Sequence, residues 1–263
     1  QTTDEVYENV SYTKRWYASL FTGIPDYSGL NSTNVNGFKN PWASICDELV
    51  TGYGNASKYN NSDKNATNVS FHRYGDCYKA IRQANIFLQK AHVITAGGTQ
   101  GDELLEPELK RYQANARFMR AFYHYLLFEQ YGPIIIVGDK VYEATESQDM
   151  SRNSVDEVVE YLDKELLASA DELSQEPIID ENYRAEPTKG VALAVRAKMW
   201  VYAASPLLNG GFNEALNIAN PDGKKLFPIA DAAKWERARQ ACADFINYAN
   251  ENNLIKNRKI EFL

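Results

Sequence analysis

The chain has 263 residues, enough for one large domain or two small ones and for a substantial buried core. Its 28 Lys and Arg against 35 Asp and Glu leave a formal net charge of -7. That argues against a nucleic-acid partner, because phosphate binding relies on clustered cations that release counterions. Cys46, Cys77 and Cys242 lie far apart without CxxC or metal-ligand spacing, so buried free thiols are expected, with no metal site, disulfide framework or cofactor. No apolar run approaches the roughly 18 residues of a membrane span. No charged and apolar leader precedes Gln1, so the chain is either cytosolic or has had a targeting segment removed.

Helical periodicity recurs at roughly 4–21, 41–51, 70–93 and 103–131, while strand alternation is almost absent. The fold class is therefore all-α. Within the fourth segment, residues 115–131 carry Phe118, Phe122, Tyr123, Tyr125, Phe128 and Tyr131 before Gly132-Pro133. At 100° per residue Gln113, Arg117, Arg120, His124 and Tyr131 share one narrow stripe, and apolar residues cover most of the rest. Such a helix belongs in the middle of a core, with its arginines paired to carboxylates or to the last carbonyls of neighbouring helices. Ile134 to Val137 is the one strand-like run, and four residues after Gly-Pro also fit an extended connector.

Ser154 with Glu157 three residues on forms a capping box, and Val155, Val158, Val159, Leu162, Leu166, Ala170 and Leu173 then build one apolar face. Pro187-Thr188 opens an alanine-rich helix that Ser205-Pro206 ends, and a last helix spans about 231–252. Two long irregular stretches, 52–69 and 207–230, interrupt this order, and loops of that length are often functional. The first is rich in Asn, Ser and Gly and holds four N-x-S/T sequons, at Asn55, Asn60, Asn65 and Asn68, which chance explains as well as glycosylation does. The second alternates turn signals with single apolar residues that could anchor it to helices beneath.

Successive helices joined by shorter turns predict antiparallel pairs stacked as an irregular TPR-like solenoid with long loops facing a ligand. Trp235 followed by Ala238, Ala241 and Ala243 is loosely like the first helix of a tetratricopeptide repeat. The helix starts keep no fixed period, so a regular consensus array is excluded.

Four segments carry a resemblance. Ala116-Arg117-Phe118-Met119-Arg120-Ala121-Phe122-Tyr123, followed by Tyr131-Gly132-Pro133-Ile134-Ile135, resembles the A-R-F-L-R-A-x-Y-Y then F-G-x-V-P-L signature of SusD-like (RagB/SusD) proteins. Tyr78 to Asn85 is similar to that family's Y-x-x-I-x-x-A-N helix, and Pro187 to Ala204 to its T-K-x-A-A helix. Ser205 to Gly210, with Trp235, resembles the stretch that the family carries after that helix. Together they run from about 70 to 250 in the family's order. The Trp usual before the Y-x-x-I helix is missing, with Tyr74 the nearest aromatic. The resemblance implies a surface-exposed outer-membrane lipoprotein that captures oligosaccharide or polysaccharide and delivers it to a SusC-like TonB-dependent transporter. It implies no catalysis. Family members are considerably longer, so these residues correspond to the N-terminal portion of a single SusD-like domain, here without the lipidated cysteine.

The residues themselves offer no catalytic constellation. Asp47-Glu48 and Asp102-Glu103 are adjacent, which on a helix points them about 100° apart and not across a cleft. HExxH, GxSxG and a Gly-rich phosphate loop are all absent. For a binder, sugar rings need aromatic faces flanked by groups that bond hydroxyls. Region 40–74 supplies that mixture in Trp42, Asp47, Tyr53, Tyr59, Asn68, His72, Arg73 and Tyr74, which are the candidate ligand contacts. The alternatives are a helical-repeat scaffold for a protein partner, a SusD-like binder of peptide nutrients, and an all-α glycoside hydrolase.

Overall fold

The computed structural model describes residues 3–25, 72–95, 103–143, 145–146 and 149–254. The helix expected at 41–51, the sequon-rich stretch 52–69 and Cys46 lie outside them. Among the described residues there are seven α-helices and no strand: α1 (Thr3–Tyr7), α2 (Val10–Ser19), α3 (Tyr74–Lys90), α4 (Glu106–Tyr131), α5 (Val155–Glu172), α6 (Lys189–Ala204) and α7 (Ala233–Glu251). The single helix expected over 4–21 is two, because Asn9 caps a new start by accepting from the Tyr12 N–H at 3.0 Å.

Local chemistry explains the remaining ends. α4 starts with Pro107 in its first turn and stops at Gly132, whose φ of 65° is a backbone state that a Cβ disfavours. The capping box at α5 forms as expected: the Ser154 hydroxyl accepts from the Glu157 N–H and the Glu157 carboxylate accepts from the Ser154 N–H at 2.7 Å. In segment 207–230 the buried Leu208, Ala215 and Leu226 are the anchors that its apolar residues predict.

Consecutive helices from α3 to α7 run antiparallel, each packed on its neighbour in the chain. Arg117 of α4 pairs with Glu172 of α5 while Arg120 pairs with Glu165, so the two helices run oppositely. Gly190 of α6 lies against Tyr248 of α7, and a Cβ there would sit 2.5 Å from the Tyr248 ring. Two apolar cores result. The larger joins α3 to α7 around Phe128, Leu162 and Trp200, and the smaller locks α1 and α2 onto α3 and α4 through Tyr7, Tyr17, Phe87 and Tyr112.

The polar stripe of α4 is buried at its middle, while Gln113, Arg117 and Tyr131 stay half-buried. Arg120 and His124 have 8% and 0% exposure, because α5 covers them and supplies Glu165 and Tyr161. The Arg120 guanidinium donates to Glu165 at 2.7 Å and to Asn85 of α3 at 3.3 Å, linking three helices. Farther along the stack Asp163 of α5 accepts from Arg196 Nε and Trp200 Nε1, both at 2.6 Å, and Arg196 also donates to Asp244 of α7 at 2.7 Å. Burial of such charges is tolerable only because each is paired and hydrogen-bonded.

Two packing expectations need correction. Phe122 is only half-buried, whereas Tyr123 and Phe128 beside it are fully buried. Cys77 is a buried thiol but Cys242 is half-buried; burial pushes the Cys77 thiol up to about 12, so it is inert at neutral pH.

Candidate functional site

The start of α3 has no side-chain cap, and its first N–H groups are answered from the far end of α4. The Tyr131 hydroxyl accepts from the backbone N–H of Arg73 at 3.0 Å and of Tyr74 at 3.2 Å. This fixes three phenol rings side by side. Tyr74 stands edge-on to Tyr131, with centroids 5.4 Å apart, and edge-on to Tyr78 at 4.8 Å.

After Gly132-Pro133 the chain turns back along α3 as an extended strap, residues 134–142, with no ladder of its own. Side chains of α3 take the place of a partner strand. The Tyr78 hydroxyl donates to the Ile135 carbonyl at 2.8 Å and accepts from the Ile135 N–H at 3.0 Å. Asn85 Nδ2 donates to the carbonyls of Gly138 at 2.9 Å and Lys140 at 3.1 Å, and Gln89 Nε2 donates to Asp139 O at 2.9 Å. Positions 78, 85 and 89 lie on one side of a helix, which is why one element can hold the whole strap. Burial, with Tyr74 next to it, pushes the Tyr78 hydroxyl far above its ordinary value, so it stays a neutral donor.

Between the first half of α3 and the strap opens a groove of about 370 Å³. Tyr74, Tyr78 and Tyr142 give it aromatic walls, and Ile135, Val137 and Met150 give it an apolar floor. Its charged lining among the described residues is Lys79, Arg82 and Lys140, and none of those residues brings a carboxylate to it. Lys79 Nζ is 3.6 Å from Asp76, and Lys140 Nζ is 3.1 Å from Glu146 and 4.3 Å from the Tyr142 ring centroid. Arg82 makes no ion pair among the described residues. The Glu143 N–H and then Lys140 hold the Glu146 carboxyl below the usual carboxylate range. A groove of this kind stacks a ring on its phenols and offers cationic donors to its substituents. Among the described residues no cluster of three or more His, Cys, Asp or Glu could hold a metal ion.

Of the eight residues singled out from the sequence, Trp42, Asp47, Tyr53, Tyr59 and Asn68 lie outside the described residues. His72 is exposed, Tyr74 is 39% exposed at the mouth of the groove, and Arg73 is fully buried with Nη1 3.8 Å from Glu129. Arg73 therefore presents no surface to a ligand. Sequence reasoning passed over Lys79, Arg82, Lys140 and Tyr142. Tyr78 and Arg82 follow Tyr74 at four-residue steps, a signal that was available, but nothing local brings 140–142 back to α3.

A family model described as "Starch-binding associating with outer membrane", of the SusD-like type, matches residues 18–201. The chain belongs to the SusD-like family. No curated protein sequence matches it. Among solved structures the SusD-like chain is similar to BT4246, at 26% identity with a TM-score of 0.69, over 94% of this chain and 41% of that one. A laminarin-binding SusD-like protein superposes with a TM-score of 0.58 at 18% identity, covering 76% and 42%. A surface glycan-binding protein A from Bacteroides uniformis does so with a TM-score of 0.57 at 17% identity, covering 90% and 46%. The last two likenesses concern the fold alone. The chain spans about two fifths of the length of the first of these structures. Among the described residues no helix is long and apolar enough to cross a membrane.

Proposed function

We propose that this SusD-like chain, read as a single domain, binds glycan without catalysis at the cell surface and delivers it to a SusC-type TonB-dependent transporter in the outer membrane. The observation that carries the reading is the groove at the head of α3, where Tyr74, Tyr78 and Tyr142 line an open channel already shaped by hydrogen bonds to the strap. Preformed walls lower the ordering cost of binding, so a few aromatic and polar contacts suffice. The family match and the names of the glycan-binding relatives support the same reading. Tyr74 and His72 remain proposed contacts, joined by Trp42, Asp47, Tyr53, Tyr59 and Asn68 of the preceding segment. Arg73 becomes a support beneath them.

Affinity electrophoresis and calorimetry against a polysaccharide panel test this. Tyr74→Ala is expected to weaken glycan binding by about tenfold or more, the value of one lost stacking contact of roughly 1.4 kcal/mol, with the melting temperature nearly unchanged. No binding to any glycan, with a transporter still co-purified from cells, would turn the reading toward a protein-interaction scaffold.

A further inference from the structure

We infer that the groove selects acidic glycans, taking a pyranose ring that carries an anionic substituent, a uronate carboxylate or a sulfate ester. The inference rests on the glycan reading above and names its substrate class. Three cations from two separate elements converge on the groove: Lys79 and Arg82 three residues apart on α3, and Lys140 from the strap opposite. The chain as a whole carries a net charge of -7, so this concentration runs against its overall balance. Among the described residues no carboxylate lines the groove to neutralise the three from within.

The carboxylates that do reach these cations hold them loosely. Lys79 and Asp76 are 3.6 Å apart with side chains 79% and 48% exposed, and Lys140 and Glu146 are 52% and 39% exposed. Exposed pairs of this type contribute little, so an incoming anion exchanges with them at small cost. Arg82 has no such partner among the described residues. Its planar fork matches a carboxylate or a sulfate edge through two parallel donors. The surrounding chemistry excludes a bare inorganic anion as the best occupant, since one would leave Tyr74, Tyr142 and the floor of Ile135, Val137 and Met150 without a contact. A sugar ring with one charged substituent uses both halves of the groove.

The test sets the wild-type protein and the variants Arg82→Gln and Tyr74→Ala against four probes: a polyuronate, a sulfated polysaccharide, a neutral polysaccharide and polyaspartate. The expected result is binding of the polyuronate, the sulfated probe or both at least about tenfold tighter than the neutral one, lost in both variants, since a charge-assisted bidentate contact supplies that ratio. Which of the two acidic probes wins identifies the anion. Equal binding of a neutral glycan that Arg82→Gln leaves intact and Tyr74→Ala abolishes would overturn the acidic selection and leave the glycan reading standing. Equal binding of polyaspartate would overturn it as well, by reducing the groove to unspecific charge capture. Binding of no probe would sink the inference and the glycan reading together.

Discussion

The interior between α4 and α7 and the groove beside α3 both gather arginines and aromatic rings, yet they treat them oppositely. Inside, Asp163 is met by two donors at 2.6 Å and Arg196 spans Asp163 and Asp244, while the half-exposed Arg237 guanidinium covers the Trp200 ring at 3.9 Å from its centre. At the groove the cations have solvent-exposed partners, Asp76 at 3.6 Å from Lys79 and Glu146 at 3.1 Å from Lys140, or, for Arg82, none among the described residues. Charge closed off by other charge fixes the geometry of a helical stack. Charge left loosely held at the edge of a preformed channel is free to meet something else.

The sharpest way to break this contrast is Asp163→Ala. It leaves the Arg196 and Trp200 donors facing an empty acceptor position inside the stack, and removing one member of a buried pair costs about 3–5 kcal/mol. Urea unfolding should show a loss of that size. A loss below about 1 kcal/mol would mean that water reaches the network and that the interior is no different from the groove.

His124 offers a second, slightly smaller test. Burial beneath α5 holds its imidazole down at about 4, the Arg120 charge adding to the effect, while the Arg120 carbonyl and Glu165 oppose it. The neighbours that face it are Arg120 on its own helix and Glu165 and Tyr161 on α5. In the unfolded chain the ring takes its proton near 6.5, so the native state binds fewer protons between those two values. Stability attributable to His124 is therefore complete above about pH 6.5 and falls as pH drops toward 4, by a total of about 3 kcal/mol. Depressed carboxyls such as Glu165, held down chiefly by Arg120 against the burial that raises it, lose their share only at lower pH. Unfolding free energy measured from pH 7 to 4.5 should decline along this curve, and His124→Gln should flatten it.

Much of the interior was legible in the sequence because it is built from local periodicity. The capping box of Ser154 and Glu157, the stops at Gly132 and Pro206, and the carboxylate partners of Arg117 and Arg120 all follow from patterns within one helix or from the need to pair a charge. Periodicity was blind to which neighbour covers which face. It placed His124 on a polar stripe, and α5 buried it; it made Phe122 a core residue, and its ring stayed half open. The groove was the least legible feature. It depends on Asn85 and Gln89 gripping carbonyls about fifty residues away, and a side-chain amide holding a strap leaves no periodic trace. For the same reason Asn85, part of the Y-x-x-I-x-x-A-N resemblance, is a structural residue and not a ligand contact.

That role sets the last and smallest test. Asn85 connects the two regions: its Nδ2 holds the strap at Gly138 and Lys140, and its Oδ1 receives Arg120 at 3.3 Å from the interior. Asn85→Ala removes the two neutral hydrogen bonds to the strap, together about 1–3 kcal/mol, along with the longer donation from Arg120. Arg120 keeps Glu165 at 2.7 Å, so the interior should hold while the strap loosens. Amide exchange should accelerate across 134–142 and remain slow in α5, α6 and α7. Lys140 and Tyr142 would then lose their fixed position opposite Arg82, weakening ligand binding without direct contact. Equal acceleration in the strap and in α5 to α7 would show instead that groove and interior unfold as one cooperative unit, and the distinction between them would be one of chemistry alone.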